Sequence, residues 1–241
     1  ITKISNIHCA ATKKSKERII KMGENPKFVF CTGSPSIDEI IRKKILPKIK
    51  LEKKYNLKFS GNEFLLLFHP VTTEYEKSGK QMKNILDALV SLNSPVIAIM
   101  PNSDAGNVAI FNLLTQYSKK YEFIRLFKNL PRTDYLSFLK NSGVLIGNSS
   151  SGIIEASYFK IPVVNIGIRQ HGREKGKNVI DLITLDSTLL YKSLKNALNL
   201  KKFIEIDNQL LYGNGNSSKK IVDILEKIKL DTKLIQKQIS Y

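Results

Sequence analysis

The residues with the clearest chemical potential are Gly147-Asn148-Ser149-Ser150-Ser151-Gly152, a small-residue turn between an apolar run and an amphipathic stretch. At a helix start the first backbone N–H groups lack partners, and the macrodipole favours negative charge. Three serine hydroxyls add donors and the two glycines permit close backbone approach, so the turn has the makings of an anion cradle. The other reading is a plain helix cap. No Gly-Lys-Ser/Thr follows, which disfavours a triphosphate with magnesium. Glu155 lies one turn into the same helix. Its carboxylate suits the hydroxyls of a ribose, or it complements the helix dipole only.

Other polar residues follow apolar runs in the same way. His69 comes directly after Leu65-Leu66-Leu67-Phe68 and before Pro70, where an imidazole can donate to an anion, act as an acid or be structural. Asn102-Ser103-Asp104 follows the run ending at Met100, and Gly167-Ile168-Arg169 follows the run ending at Ile166. Arg169 is notable because only six of the 39 basic residues are Arg, and a guanidinium fork pairs bidentately with phosphate. Arg173 lies four residues on, with a surface ion pair to Glu174 or Glu155 as its alternative. His8 reads as core and His171 as exposed.

These residues need a scaffold that gathers them. Short apolar runs alternate with amphipathic stretches, the mark of a parallel α/β sheet. Strands are expected at 6–11, 28–31, 64–68, 96–100, 123–127, 143–147, 161–166 and 178–182. Helices are expected at 12–22, 36–48, 78–92, 106–119, 135–140, 152–159, 186–199 and 218–236, the last capped by Asn216 or Ser217. The charged, weakly periodic stretch 48–61 reads as a linker. Residues 62–200 thus hold about six βα repeats, a doubly wound, Rossmann-like domain whose ligands sit at the carboxyl ends of the strands. The polar residues above all lie at those ends.

Composition narrows the function classes. The 241 residues suit one or two domains, and with 42% hydrophobic and 25% charged residues a core is affordable. The net charge of +18 comes mostly from 33 scattered Lys, without the Arg forks or basic stripe of a nucleic-acid module. No nucleic-acid or membrane partner is expected. Two Cys and three His, none adjacent as ligands, argue against a disulfide scaffold, a zinc site or any other metal, and fit a cytoplasmic location. No apolar run reaches the ~18 residues of a membrane span.

The segments 69–74, 147–156 and 162–173 together closely resemble the hydrolysing UDP-N-acetylglucosamine 2-epimerases of the sialic-acid type. They read His69-Pro70-Val71-Thr72-Thr73-Glu74, Gly147-Asn148-Ser149-Ser150-Ser151-Gly152-Ile153-Ile154-Glu155-Ala156 and Pro162-Val163-Val164-Asn165-Ile166-Gly167-Ile168-Arg169-Gln170-His171-Gly172-Arg173. Met22-Gly23-Glu24-Asn25-Pro26, Gly33-Ser34-Pro35-Ser36-Ile37-Asp38, Pro101-Asn102-Ser103-Asp104-Ala105-Gly106 and Tyr212-Gly213-Asn214-Gly215-Asn216 extend the resemblance over the whole chain. The non-hydrolysing epimerases usually carry His-Arg-Arg-Glu-Asn where this chain has His69-Pro70-Val71-Thr72-Thr73-Glu74.

The resemblance implies a glycosyltransferase-B arrangement of two Rossmann-like domains, the first only partly present. Residues 1–47 would be the last βα units of that domain, 48–61 a linker, 62–215 the UDP-binding domain, and 216–241 a helix crossing back to the first. It implies loss of UDP from C1 with removal of the C2 proton, then hydration of the glycal, so that UDP-N-acetylglucosamine and water give N-acetylmannosamine and UDP. It places UDP on His69, Asn102, Leu130, Ser149, Ser150, Glu155 and Arg169, with His69 also assisting the leaving group as the one catalytic residue here. It implies no cofactor and a dimeric or tetrameric full-length protein. The family's acid and base carboxylates are expected upstream of Ile1. Alternatives are the same chemistry on a UDP-2,4-diacetamido-2,4,6-trideoxyhexose, a glycosyltransferase-B transferase, and an inactive fragment.

Overall fold

The computed structural model describes residues 1–201 and 211–237. Two compact units divide the chain, one of residues 1–43 and 209–241, the other of residues 44–208.

In the first unit, β1 (His8–Ala10) and β2 (Val29–Cys31) form a parallel pair, each followed by a helix, α1 (Lys13–Lys21) and α2 (Pro35–Arg42). Thr12 caps α1 by accepting the Ser15 N–H at 3.1 Å, and Gly23 closes its far end at φ +89°. The late segment returns to this unit as α9 (Ser217–Lys227) and α10 (Thr232–Ile235), with α9 packed on α2. The single helix expected over 218–236 is therefore two. Ile228 is extended, and the Asp231 carboxylate accepts the Leu234 N–H at 3.0 Å, so a new helix starts there. Neither Asn216 nor Ser217 caps α9. That role falls to Asp38 on α2, whose carboxylate takes the Ser217 and Ser218 N–H groups at 3.0 and 2.6 Å. Cys9 and Cys31 are exposed, although both sit in apolar runs. His8 is buried, as expected, against the equally buried Glu24 at 3.0 Å.

The second unit is a six-stranded parallel sheet built from β3 (Phe64–Leu67), β4 (Val96–Ile99), β5 (Ile124–Phe127), β6 (Val144–Gly147), β7 (Val163–Ile166) and β8 (Val179–Leu182). Its order is β5-β4-β3-β6-β7-β8. Numbered from β3 this is 3-2-1-4-5-6, the doubly wound order, with the reversal between β3 and β6. Leu65 pairs with Leu145 and Leu67 with Gly147 across that boundary. The inner strands are apolar on both faces because helices cover both, apart from the buried Asn165 on β7, which donates to Asp181 at 2.7 Å, while the edges carry Arg125 and Asp181 outward. Helices α4 (Ser78–Leu92), α5 (Asn107–Lys120) and α8 (Ser187–Leu200) share one core with Phe64, Leu66, Ala98, Val144, Ile146 and Val164. Between β6 and β7 runs the short helix α7 (Ser151–Tyr158).

The stretch 48–61 corrects the linker expectation. It contains α3 (Lys48–Tyr55), which packs on α6 (Arg132–Asn141). Leu51 and Tyr55 stand at i and i+4; Leu51 is fully buried and the Tyr55 ring meets Phe138 edge-on at 4.9 Å. Lys54 and Tyr55 both reach the buried Asp134, Lys54 at 2.5 Å. Burial and that carboxylate raise the Tyr55 hydroxyl well above its ordinary range.

Candidate functional site

The site lies where the sheet reverses. Gly147 ends β6 at φ +137°, and a Cβ there would stand 2.0 Å from the Leu67 carbonyl oxygen on β3. Only glycine lets the two strand ends run this close. The turn 148–150 then feeds α7, and Gly152 lets that helix settle on β7, where a Cβ would meet Val163 at 2.9 Å. Ser150 is the N-cap without a side-chain cap bond, so its hydroxyl is not spent on closing the helix. Ser149 Oγ accepts the Ser151 N–H at 3.3 Å.

Asn148 ties the two strand ends together. It is 1% exposed. Its Oδ1 accepts the His69 N–H and its Nδ2 donates to the His69 carbonyl, both at 2.8 Å. Its own carbonyl accepts Arg169 Nη1 at 3.1 Å and Gln170 Nε2 at 2.8 Å. His69 Nδ1 accepts the Asn102 N–H at 3.2 Å, so the neutral ring carries its proton on Nε2. Burial, then the Arg169 charge, hold the imidazole below its ordinary pKa. Asn102 Nδ2 in turn donates to Asp104 at 2.5 Å.

Beside the turn is a cavity of about 330 Å³ lined by Leu67, Ile99, Asn129, Leu130, Arg132, Tyr135, Ser149, Ser150, Ser151 and Glu155. Of the residues expected at the site, Leu130, Ser149, Ser150 and Glu155 line this cavity. His69, Asn102 and Arg169 do not line it; they join it through Asn148 and each other. Glu155, 6% exposed, pairs with the fork of Arg132, Nη1 to Oε2 at 3.1 Å and Nη2 to Oε1. It also accepts Ser151 Oγ at 2.5 Å, and Ser151 Oγ accepts Tyr135 Oη at 2.5 Å. Arg173, offered as a partner for Glu155, is exposed, and Arg132 takes that place.

The sequence analysis does not single out Arg132 or Tyr135, quotes Gln170 only within a matching segment, and counts Ser151 among the anion donors rather than as a partner of Glu155. Arg scarcity, used for Arg169, applies equally to Arg132, and Ser151 stands four residues before Glu155, one helical turn away. Among the described residues no group of three or more His, Cys, Asp or Glu could hold a metal ion, and no helix is long and apolar enough to cross a membrane. The arrangement offers hydroxyls and a helix N-terminus to an anion, a carboxylate to hydroxyl groups, and apolar walls at Leu67, Ile99 and Leu130 to a flat ring.

A doubly wound parallel sheet with these groups at its reversal defines the class: a glycosyltransferase-B-like α/β fold with a polar cavity at the carboxyl ends of the strands. Residues 1–226 match the family model described as UDP-N-acetylglucosamine 2-epimerase, and the chain belongs to that family. It is 36% identical over 242 residues to the UDP-N,N'-diacetylbacillosamine 2-epimerase (hydrolyzing) of Legionella pneumophila, covering 100% of this chain and 63% of that protein. It is 37% identical over 183 residues to the GDP/UDP-N,N'-diacetylbacillosamine 2-epimerase (hydrolyzing) of Campylobacter jejuni, covering 75% and 48%. This chain thus spans less than two thirds of the length of either relative. The crystal structure of UDP-GlcNAc 2-epimerase from Neisseria meningitidis bound to UDP-GlcNAc superposes with a TM-score of 0.75 at 20% identity, covering 94% of this chain and 63% of that one.

Proposed function

We propose that this chain binds the UDP part of a UDP-2-acetamido sugar within a hydrolysing 2-epimerase. The observation that carries the reading is the 148–151 turn opening α7 beside Glu155 at the sheet reversal. In this reading Ser149, Ser150 and the α7 N-terminus hold the diphosphate, with Arg169 nearby. Glu155 takes the ribose, and Leu130 walls the base. His69 presents Nε2–H to the leaving phosphate oxygen, and Asn102 fixes that tautomer. UDP departs from C1 as the C2 proton is removed, and water adds to the resulting glycal, releasing the free sugar. The donors act on charge that grows on the diphosphate as the C1–O bond breaks, where preorganised hydrogen bonds count most. Glu155 is the one carboxylate lining the cavity among the described residues, and it is held by Arg132 and Ser151. We therefore assign the C2 base to no residue of this cavity.

For the sugar we favour N,N'-diacetylbacillosamine, on the whole-chain likeness to the Legionella protein. UDP-N-acetylglucosamine is the second reading, supported by the family match. Calorimetric titration of UDP tests the site: the parent protein is expected to saturate, and a folded Ser149→Ala/Ser150→Ala variant to lose at least about ten-fold in affinity, two hydrogen bonds to charge being removed. Equal affinity would reduce the turn to a helix cap. Incubation of the full-length protein with each UDP-sugar separates the substrates, because only the true one releases free 2-epimerised sugar without an added acceptor. A product formed only with an acceptor would indicate a transferase instead.

A further inference from the structure

Gln170 is a buried polar side chain with no part in the reaction proposed above. It stands in the loop after β7 at 2% exposure, while the apolar Ile168 two residues before it is 45% exposed. Its Nε2 donates to the Asn148 carbonyl at 2.8 Å, and its Oε1 is buried with no hydrogen-bond partner among the described residues. An unpartnered buried acceptor costs stability, so an apolar side chain of the same size would serve packing better. The Asn148 carbonyl also accepts Arg169 Nη1 at 3.1 Å. That carbonyl belongs to the trans peptide joining Asn148 to Ser149, in which C=O and N–H point in opposite directions. Two donors hold the carbonyl, and the Ser149 N–H is thereby fixed on the other side. Neither that N–H nor the Ser150 N–H is bonded to another described residue, and both directly precede α7.

Resting on the diphosphate reading of Ser149 and Ser150, we infer that Gln170 is a positioning residue for the nucleoside diphosphate: it holds the Asn148 carbonyl so that the Ser149 N–H stays aimed at the anion. Hydrogen bonds in a chain polarise one another, so a donor on the carbonyl also strengthens the N–H at the far side of the same peptide. Arg169 serves this purpose less well. It is exposed, and its guanidinium is itself drawn to a diphosphate, whereas Gln170 is neutral and buried and keeps its place when Arg169 turns to the ligand. A peptide dipole set in advance needs no reorganisation when the charge arrives.

The test is Gln170→Met in the whole protein, read by calorimetric titration of UDP and by the urea midpoint without nucleotide. Met matches Gln in length and removes both the donor and the unpartnered acceptor, while Arg169 still bonds the Asn148 carbonyl. The midpoint is expected to stay or rise, because relief of the buried Oε1 offsets the lost bond. UDP is expected to bind about three- to ten-fold weaker, the scale of one hydrogen bond. A merely structural Gln170 would lower the midpoint instead. A fallen midpoint therefore overturns the positioning role, and so does unchanged UDP affinity in the folded variant. Should Gln170→Met fail to fold, Gln170→Leu decides by the same two readings, and loss of the fold in both overturns the inference. Ser149→Ala/Ser150→Ala separates the inference from the reading beneath it. If that variant loses UDP affinity while Gln170→Met keeps it, the diphosphate reading stands without Gln170. If it binds UDP as tightly as the parent, the diphosphate reading falls and the inference falls with it.

Discussion

At Gly147 the left-handed backbone and the Leu67 carbonyl leave no room for a side chain. Gly147→Ala is expected to destabilise by at least about 2 kcal/mol, the cost of strained backbone and displaced strand ends, read as a lowered urea midpoint at unchanged slope. An unchanged midpoint would mean that the turn rearranges freely. His69 makes a pH prediction. Its folded pKa lies below the ordinary value of ~6.5, so between the two the unfolded chain binds a proton that the native state refuses. Stability contributed by His69 is therefore intact above ~6.5 and declines as pH falls toward the folded pKa. His69→Asn should lose less stability than the parent between pH 7.5 and 5.5, and equal losses would place the imidazole in an unperturbed setting. At this scale the small-residue turn and the strand-end His, Asn and Arg were legible because type and position along the chain suffice to flag them. The Arg132–Glu155 pair was not, because its partners stand 23 positions apart on helices from different βα units.

Elements were legible where both local signals and packing agreed. The inner strands of the second unit stand out as apolar runs because burial on both faces leaves little polar alternation, while the edge strands β5 and β8 each carry one exposed charge, Arg125 and Asp181. Helix α3 was hidden because one buried Leu51 and one Tyr55 anchor it, and Lys fills most of the remaining positions. The break between α9 and α10 was hidden because Ile228 keeps the helical spacing while its backbone does not. Asp38 shows the same limit from the other side, as a cap drawn from 179 residues earlier in the chain. Burial alone would raise its carboxyl, but the Ser218 and Ser217 N–H groups outweigh that and hold it below its ordinary pKa. Its contribution is then full above about pH 4 and is lost as pH falls through the folded pKa. Asp38→Ala is expected to cost about 1–2 kcal/mol at pH 7 by the loss of the α9 cap, with the gap to the parent narrowing below pH 4 in urea titrations. A gap that holds constant with pH would show that packing, not the carboxylate, carries the effect.

For the molecule as a whole, the +18 charge is a property of scattered Lys rather than of a built surface. Any RNA retained at low salt in a gel shift should be released uniformly by ~0.2 M salt, whatever its sequence. UDP held by hydrogen bonds in the cavity should remain bound there, and sequence-selective RNA retention would contradict this view. The doubly wound class of the second unit could be expected from the alternation of runs, but its strand order comes from the structure, and the return of the last helix to the first unit rested on family resemblance, since nothing local says that residues after 208 belong with residues before 44. That composition has a consequence for how the chain is made. Residues 44–208 leave the ribosome as one uninterrupted stretch and have their whole sheet available as soon as β8 and α8 emerge. The β1–β2 pair emerges before that stretch yet must wait for Ser217 and Ser218 to meet Asp38, a delay of roughly 10–30 s at ordinary elongation rates. A segment translated before the second unit is thus completed only after it, and its α2 lacks the α9 contact throughout that interval.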